Sequence, residues 1–184
     1  MRLFAGLPIP NPAREQILGL LGRLREGGWP VRWVHDEGLH MTLKFFGEVA
    51  AERLDVIAEA LRFAAAGAGA LPLQLGELGA FPSRVRPRIL WVGLEAPPSL
   101  ELLQDRIERG CEAIGFPPEG APFQPHVTLG RVREGQRLPP GGLDDHAEGL
   151  ARVPFVAQEL VLYESVLTTS GPRYESRLTL DLVG

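Results

Sequence analysis

Apolar and polar positions alternate along the chain in two different periods, and the two periods take turns. Arg2 to Ile9 alternates as a strand. Asn11-Pro12 then marks a helix start, with proline at the first helical position, and Ile17, Leu18, Leu20, Leu21 and Leu24 recur at helical spacing up to Gly27-Gly28. Val31 to Val34 is a short extended piece leading into His40-Met41-Thr42-Leu43-Lys44-Phe45-Phe46-Gly47, a strand ended by glycine. Glu52 to Ala66 is amphipathic at helical spacing through Leu54, Ile57, Ala58 and Leu61. Leu71 to Leu78 and Ile89 to Leu94 return to strand spacing, separated by the turn-rich arginine segment Phe81 to Arg88. A third helix starts at Pro98-Ser99 and ends at Gly115. A proline-rich connector, Phe116 to Pro125, delivers the strand His126-Val127-Thr128-Leu129-Gly130. Arg133 to Gly149 lacks either period and is expected as an exposed loop; Pro154 to Tyr163 and Tyr174 to Leu182 are two closing strands.

The order strand, helix, His-Thr strand therefore occurs twice. That predicts an α+β protein made as a bilobal, pseudo-two-fold duplication: two antiparallel sheets lining a central cleft, with helices on the outside. Residues 1–184 are expected to form a single two-lobed domain, long enough to bury a core without a disulfide or metal staple. Cys111 is the only cysteine, which excludes an intramolecular disulfide and a Cys-rich zinc site; on its expected helix it is an inert packed thiol. The N-terminal residues lack the pattern of a signal peptide, and no apolar run approaches the ~18 residues of a membrane span, so a cytoplasmic protein is expected. A formal net charge of −4 argues against a protein that coats long nucleic acid, though not against one that grips a single strand end. Lys44 is the only lysine.

Residues two apart on a strand share a face. His40 and Thr42 should then project together, with Lys44 further along that side, while Met41, Leu43 and Phe45 face the core. His126 and Thr128 repeat the pair. Two strands each offering an imidazole and a hydroxyl suggest convergence on one ligand. Gly-rich phosphate cradles and a nucleophile elbow are absent, and Cys111 has no local tie to either histidine. Zinc normally takes three protein ligands, and no acidic residue flanks either motif histidine on its strand face; His35 and His146 sit in loop contexts and are expected to be solvated. No metal and no cofactor is therefore expected. Paired acid-base catalysis suits the residues better: one neutral imidazole removes a proton while the other, protonated, supplies one, and a pKa near ~6.5 makes both forms accessible. In-line displacement at a phosphodiester is the reaction with most use for such a pair. Two threonine hydroxyls could stabilise the non-bridging oxygens.

The motifs His40-Met41-Thr42-Leu43 and His126-Val127-Thr128-Leu129 resemble the paired His-x-Thr-hydrophobic motifs of the two-histidine phosphoesterases. Arg2-Leu3-Phe4, Trp33-Val34, Lys44 to Val49, Pro87 to Gly93 and Leu162 to Ser165 look like the RNA 2′,3′-cyclic phosphodiesterase branch, also called 2′-5′ RNA ligases. The resemblance covers essentially the whole chain. It implies hydrolysis of RNA ends bearing a 2′,3′-cyclic phosphate to a 2′-phosphate, with reversible 2′-5′ ligation as a side activity, by a monomer that needs RNA ends as its partner. It further implies His40 as proton donor, His126 as acceptor, and Thr42, Thr128 and Arg131 as phosphate-binding residues. A regular pleat turns Arg131 away from His126, so this last role requires a bend at Gly130. Two alternatives stay open at this point: a nucleotide-sensing module with the same cleft, and a phosphodiesterase for small cyclic phosphates.

Overall fold

The computed structural model describes residues 1–147 and 150–183. Among them are nine strands: β1 (Arg2–Pro8), β2 (Val31–Trp33), β3 (His40–Glu48), β4 (Leu71–Pro82), β5 (Pro87–Glu95), β6 (His126–Val132), β7 (Pro154–Ala157), β8 (Glu159–Thr168) and β9 (Gly171–Asp181). The helices are α1 (Ala13–Glu26), α2 (Leu54–Ala65), α3 (Pro98–Ala113) and the single turn α4 (Asp144–Ala147). The strands lie in the order β7-β4-β5-β6-β3-β1-β8-β9, with β2 also on β6. Every strand pairing among the described residues is antiparallel.

The sheet consists of two arms, β7-β4-β5-β6 and β3-β1-β8-β9, which meet only at the pair Met41–Val127. β1-α1-β3-α2-β4 is repeated as β5-α3-β6-α4-β8, and each repeat sends its last strand to the other arm. β4 pairs with β5, and β8 pairs with β1. Neither repeat thus completes an arm without the other. One contiguous apolar cluster runs through both, from Leu7, Ile17 and Leu21 to Leu61, Leu103, Ile107 and Leu129. Helix faces at helical spacing supply much of it, as their periodicity predicts.

Several expectations are corrected. The first helix begins at Ala13, with Pro12 at the cap position, so the proline precedes the helix. The arginine segment is mostly strand: β4 continues to Pro82 and β5 starts at Pro87, leaving a short turn. Pro154 to Tyr163 is two strands in different arms of the sheet, because β7 pairs with β4 while β8 pairs with β1. The chain crosses between the arms at Gln158-Glu159, two consecutive exposed residues where alternation demands one. The expected loop after Arg133 buries Leu143 and forms α4; its last two residues, Glu148 and Gly149, lie outside the described residues. His146 is not simply solvated, since its ring meets the edge of Trp29 at 5.4 Å. His35 is exposed, and its Nε2 bonds the Ser170 carbonyl at 2.9 Å. Cys111 is buried in α3, and burial pushes its thiol up to about 11, so it stays protonated and inert.

Candidate active site

Both motif strands carry one extra residue at the same place. Across β1 and β3 the register runs from Gly6–Thr42 directly to Ala5–Lys44, which leaves Leu43 unmatched. Across β5 and β6 it runs from Trp91–Thr128 to Leu90–Gly130, which leaves Leu129 unmatched. A bulge of this kind shifts the inside-outside phase by one. His40 and Thr42 face the cleft as expected. Lys44 does not: it turns inward and is 1% exposed, while Phe45 turns out and is 54% exposed. In the second strand the same slip buries Gly130 and exposes Arg131 on the side of His126 and Thr128. The bend that Arg131 requires is therefore present. Gly130 has no room for a side chain, since a Cβ there would lie 2.6 Å from Val31 Cγ1. Lys44 takes up a structural task, its Nζ donating to Glu108 Oε2 and to the Pro117 carbonyl, each at 2.6 Å. That ties β3 to α3 and to the start of the connector before His126.

The pairing of Met41 with Val127, continued one residue each way, sets His40 opposite Thr128 and Thr42 opposite His126. Each imidazole is anchored in the same manner. His40 Nδ1–H donates to the Gly38 carbonyl at 2.7 Å, and His126 Nδ1–H donates to the Gln124 carbonyl at 2.7 Å. A carbonyl can only accept, so the neutral ring carries its proton on Nδ1 and keeps the Nε2 lone pair free. The Thr42 hydroxyl donates to His40 Nε2 at 3.1 Å.

Aromatic rings from neighbouring strands hold both imidazoles. Around His40 stand Phe4 at 4.6 Å, Tyr174 edge-on at 5.2 Å and Tyr163 at 5.8 Å, measured between ring centroids. Around His126 stand Phe81 edge-on at 5.1 Å and Trp91 at 6.2 Å. These rings belong to strands distant in sequence; Phe4, Trp91 and Tyr163 lie in stretches that carry the family resemblance, whereas Phe81 and Tyr174 do not. Burial raises the Tyr174 phenol, and the charges of Arg131 and Arg2 oppose that shift, which places Arg131 within electrostatic reach of the rings beside His40.

The two histidines differ in solvation. Burial lowers His40 to about 4; the Gly38 bond partly opposes this, and repulsion from His126 adds to it. In the unfolded chain a histidine titrates near ~6.5. Between those values the unfolded state holds more protons, so stability rises with pH and is lost on acidification through this window. The shift corresponds to roughly 3 kcal/mol. Urea midpoints at pH 7 and pH 4.5 should show this loss in the wild type and a smaller loss in His40→Gln. Equal losses would place the acid sensitivity elsewhere. Among the described residues, no three His, Cys, Asp or Glu side chains converge as a metal site.

A profile of known families matches the chain twice, over residues 7–91 and 92–174, one match per repeat. The chain belongs to the LigT-like phosphoesterase family. A relative from Aeropyrum pernix, named RNA 2′,3′-cyclic phosphodiesterase, is 35% identical over 170 residues, which is 87% of this chain and 93% of that protein. A protein of the same name from Geobacillus stearothermophilus is 31% identical over 183 residues, covering 98% of this chain; the chain spans 57% of that relative's length. A crystal structure from Thermus thermophilus superposes with a TM-score of 0.83 at 27% identity, covering 100% of this chain and 99% of that one. Membership accounts for the duplication, since this LigT-like phosphoesterase consists of two copies of one unit with one His-x-Thr strand in each. No helix among its described residues is long and apolar enough to cross a membrane.

Proposed function

We propose that this LigT-like phosphoesterase hydrolyses RNA 2′,3′-cyclic phosphate ends to 2′-phosphates, using His40 as acid and His126 as base. The observation that carries the reading is the matched anchoring of the two rings: each Nδ1 is committed to the carbonyl two residues back, which leaves Nε2 as the nitrogen for proton transfer, with the Thr42 hydroxyl resting on that of His40 in the free protein. The names of the relatives from Aeropyrum pernix and Geobacillus stearothermophilus support the substrate class. Water attacks phosphorus as His126 Nε2 takes its proton. The bond from phosphorus to the ribose 3′-oxygen breaks, and His40 Nε2–H protonates that oxygen. Thr42 and Thr128 donate to the non-bridging oxygens, and Arg131 adds positive charge from the same face. Burial keeps His40 neutral in the free protein. The bound phosphate anion favours its protonated form, and a buried imidazolium then releases its proton readily to an alkoxide.

The reading carries with it a single-domain, cytoplasmic monomer acting on RNA ends without a metal. Two imidazoles and two hydroxyls make a poor divalent site. The test is turnover of an oligonucleotide ending in a 2′,3′-cyclic phosphate in excess EDTA. Undiminished conversion to the 2′-phosphate is expected. Loss of turnover restored by one particular metal would contradict the metal-free mechanism, and saturable binding without turnover would make the protein a sensor.

A further inference from the structure

His126 also lines a recess of about 420 Å³ that the acid-base step does not use. Its walls are Phe81, Trp91, Phe123 and Pro125, and its rim is Glu77, Glu95 and Arg152. The recess exists because β4 bulges: between the pairs Leu75–Leu94 and Leu78–Val92, Gly76 and Glu77 face the single residue Gly93. Gly76 and Gly93 leave the floor bare. Trp91 lies face-down on Gly79, where a Cβ would come within 2.3 Å of the indole, and Phe81 packs against it at 4.9 Å. Trp91 Nε1 is buried with no hydrogen-bond acceptor among the described residues, an unmet donor at that wall.

The charges on the rim exclude a phosphate. Arg152 is already engaged, its Nη1 donating to Glu95 Oε1 at 2.6 Å and its Nη2 standing 3.9 Å from Glu77 Oε1. Two carboxylates against one paired guanidinium leave a net negative rim, which repels an anion and attracts N–H donors. Flat aromatic walls one ring away from His126 suit a flat, uncharged heterocycle. We propose that this recess is a nucleobase subsite for the nucleotide carrying the cyclic phosphate, selective for guanine. Guanine turns a ring N–H and an amino group to one edge, and both can donate to Glu95 or Glu77. Uracil offers one N–H between two keto oxygens, which a carboxylate repels. Stacking on the aromatic wall is indifferent to the base, so the carboxylates supply the choice. The proposal rests on the catalytic reading above for the position of the phosphate.

The test compares kcat/KM for guanosine and uridine 2′,3′-cyclic monophosphates in the wild type, Glu95→Gln and Glu77→Gln. All three carry the same walls, and both glutamates are solvent-facing, so folding is preserved. The guanine form should be favoured about tenfold in the wild type, as for one charge-assisted hydrogen bond. That ratio should fall towards one in at least one variant. Equal turnover of the two nucleotides, or a ratio unchanged in both variants, would overturn the subsite while leaving the catalytic reading intact. Titration with guanosine and uridine 2′-monophosphates, and with inorganic phosphate, keeps the two readings apart. If neither cyclic mononucleotide nor an oligonucleotide ending in a 2′,3′-cyclic phosphate is turned over, the catalytic reading fails, and tighter guanosine binding that Glu95→Gln or Glu77→Gln removes still upholds the recess. Equal binding of both nucleotides overturns it.

Discussion

Thr42→Ala and Thr128→Ala are each expected to reduce kcat for cyclic phosphate hydrolysis by about 10²–10³-fold, with the fold intact. In the proposed mechanism each hydroxyl donates to oxygens whose charge grows in the transition state, in a cleft walled by aromatic rings where water cannot substitute fully. Thr42 has a second task. Its hydroxyl donates to His40 Nε2 in the free protein, so its loss also frees the acid to turn. Thr128 makes no such bond to a histidine among the described residues, and its variant isolates the effect on phosphate. Thr→Val is the sharper substitution, because it retains β-branching and the strand. Single-turnover rates on a 2′,3′-cyclic nucleotide measure the effect. If Thr→Val leaves the rate unchanged at both positions, the threonines serve the strands and not the phosphate.

The sequence displayed the chemistry more clearly than the geometry that holds it. The repeated His-x-Thr-Leu, the helical faces and their order all follow from local periodicity, and each is present. The bulges at Leu43 and Leu129 do not follow. An extra residue in one strand is defined by its partner strand, and Leu43-Lys44-Phe45 reads as ordinary alternation across it. Lys44 consequently looked like a cleft residue and is a buried tie to Glu108 and Pro117. Arg131 looked misdirected and shares the open face with His126. The exchange of final strands was equally hidden, because β4 and β8 each carry good strand patterns that say nothing of which arm they join. The rings around the histidines depend on that exchange: Tyr163 reaches His40 from β8, and Phe81 reaches His126 from β4. Gln158-Glu159 was the one local sign, two polar residues together in an otherwise apolar run.

The division of labour between the histidines carries the second large effect. Burial lowers His40, and in the proposed mechanism the bound anion restores its proton, whereas the bell-shaped pH profile expected of any such pair belongs to the two groups jointly and cannot tell acid from base. Leaving-group chemistry can. A ribose alkoxide departs poorly without a proton, and a nitrophenolate departs readily with none. Water must be activated in either case. The decisive measurement is therefore the rate of His40→Ala and His126→Ala on a 2′,3′-cyclic nucleotide and on a nitrophenyl phosphodiester, with inhibition by a 2′-nucleotide confirming that both substrates share the cleft. Both variants should lose about 10²–10⁴-fold on the cyclic nucleotide. On the aryl ester His40→Ala should recover most of that loss and His126→Ala none of it. Recovery by His126→Ala instead would reverse the assignment, and recovery by neither would contradict acid-base catalysis by the pair.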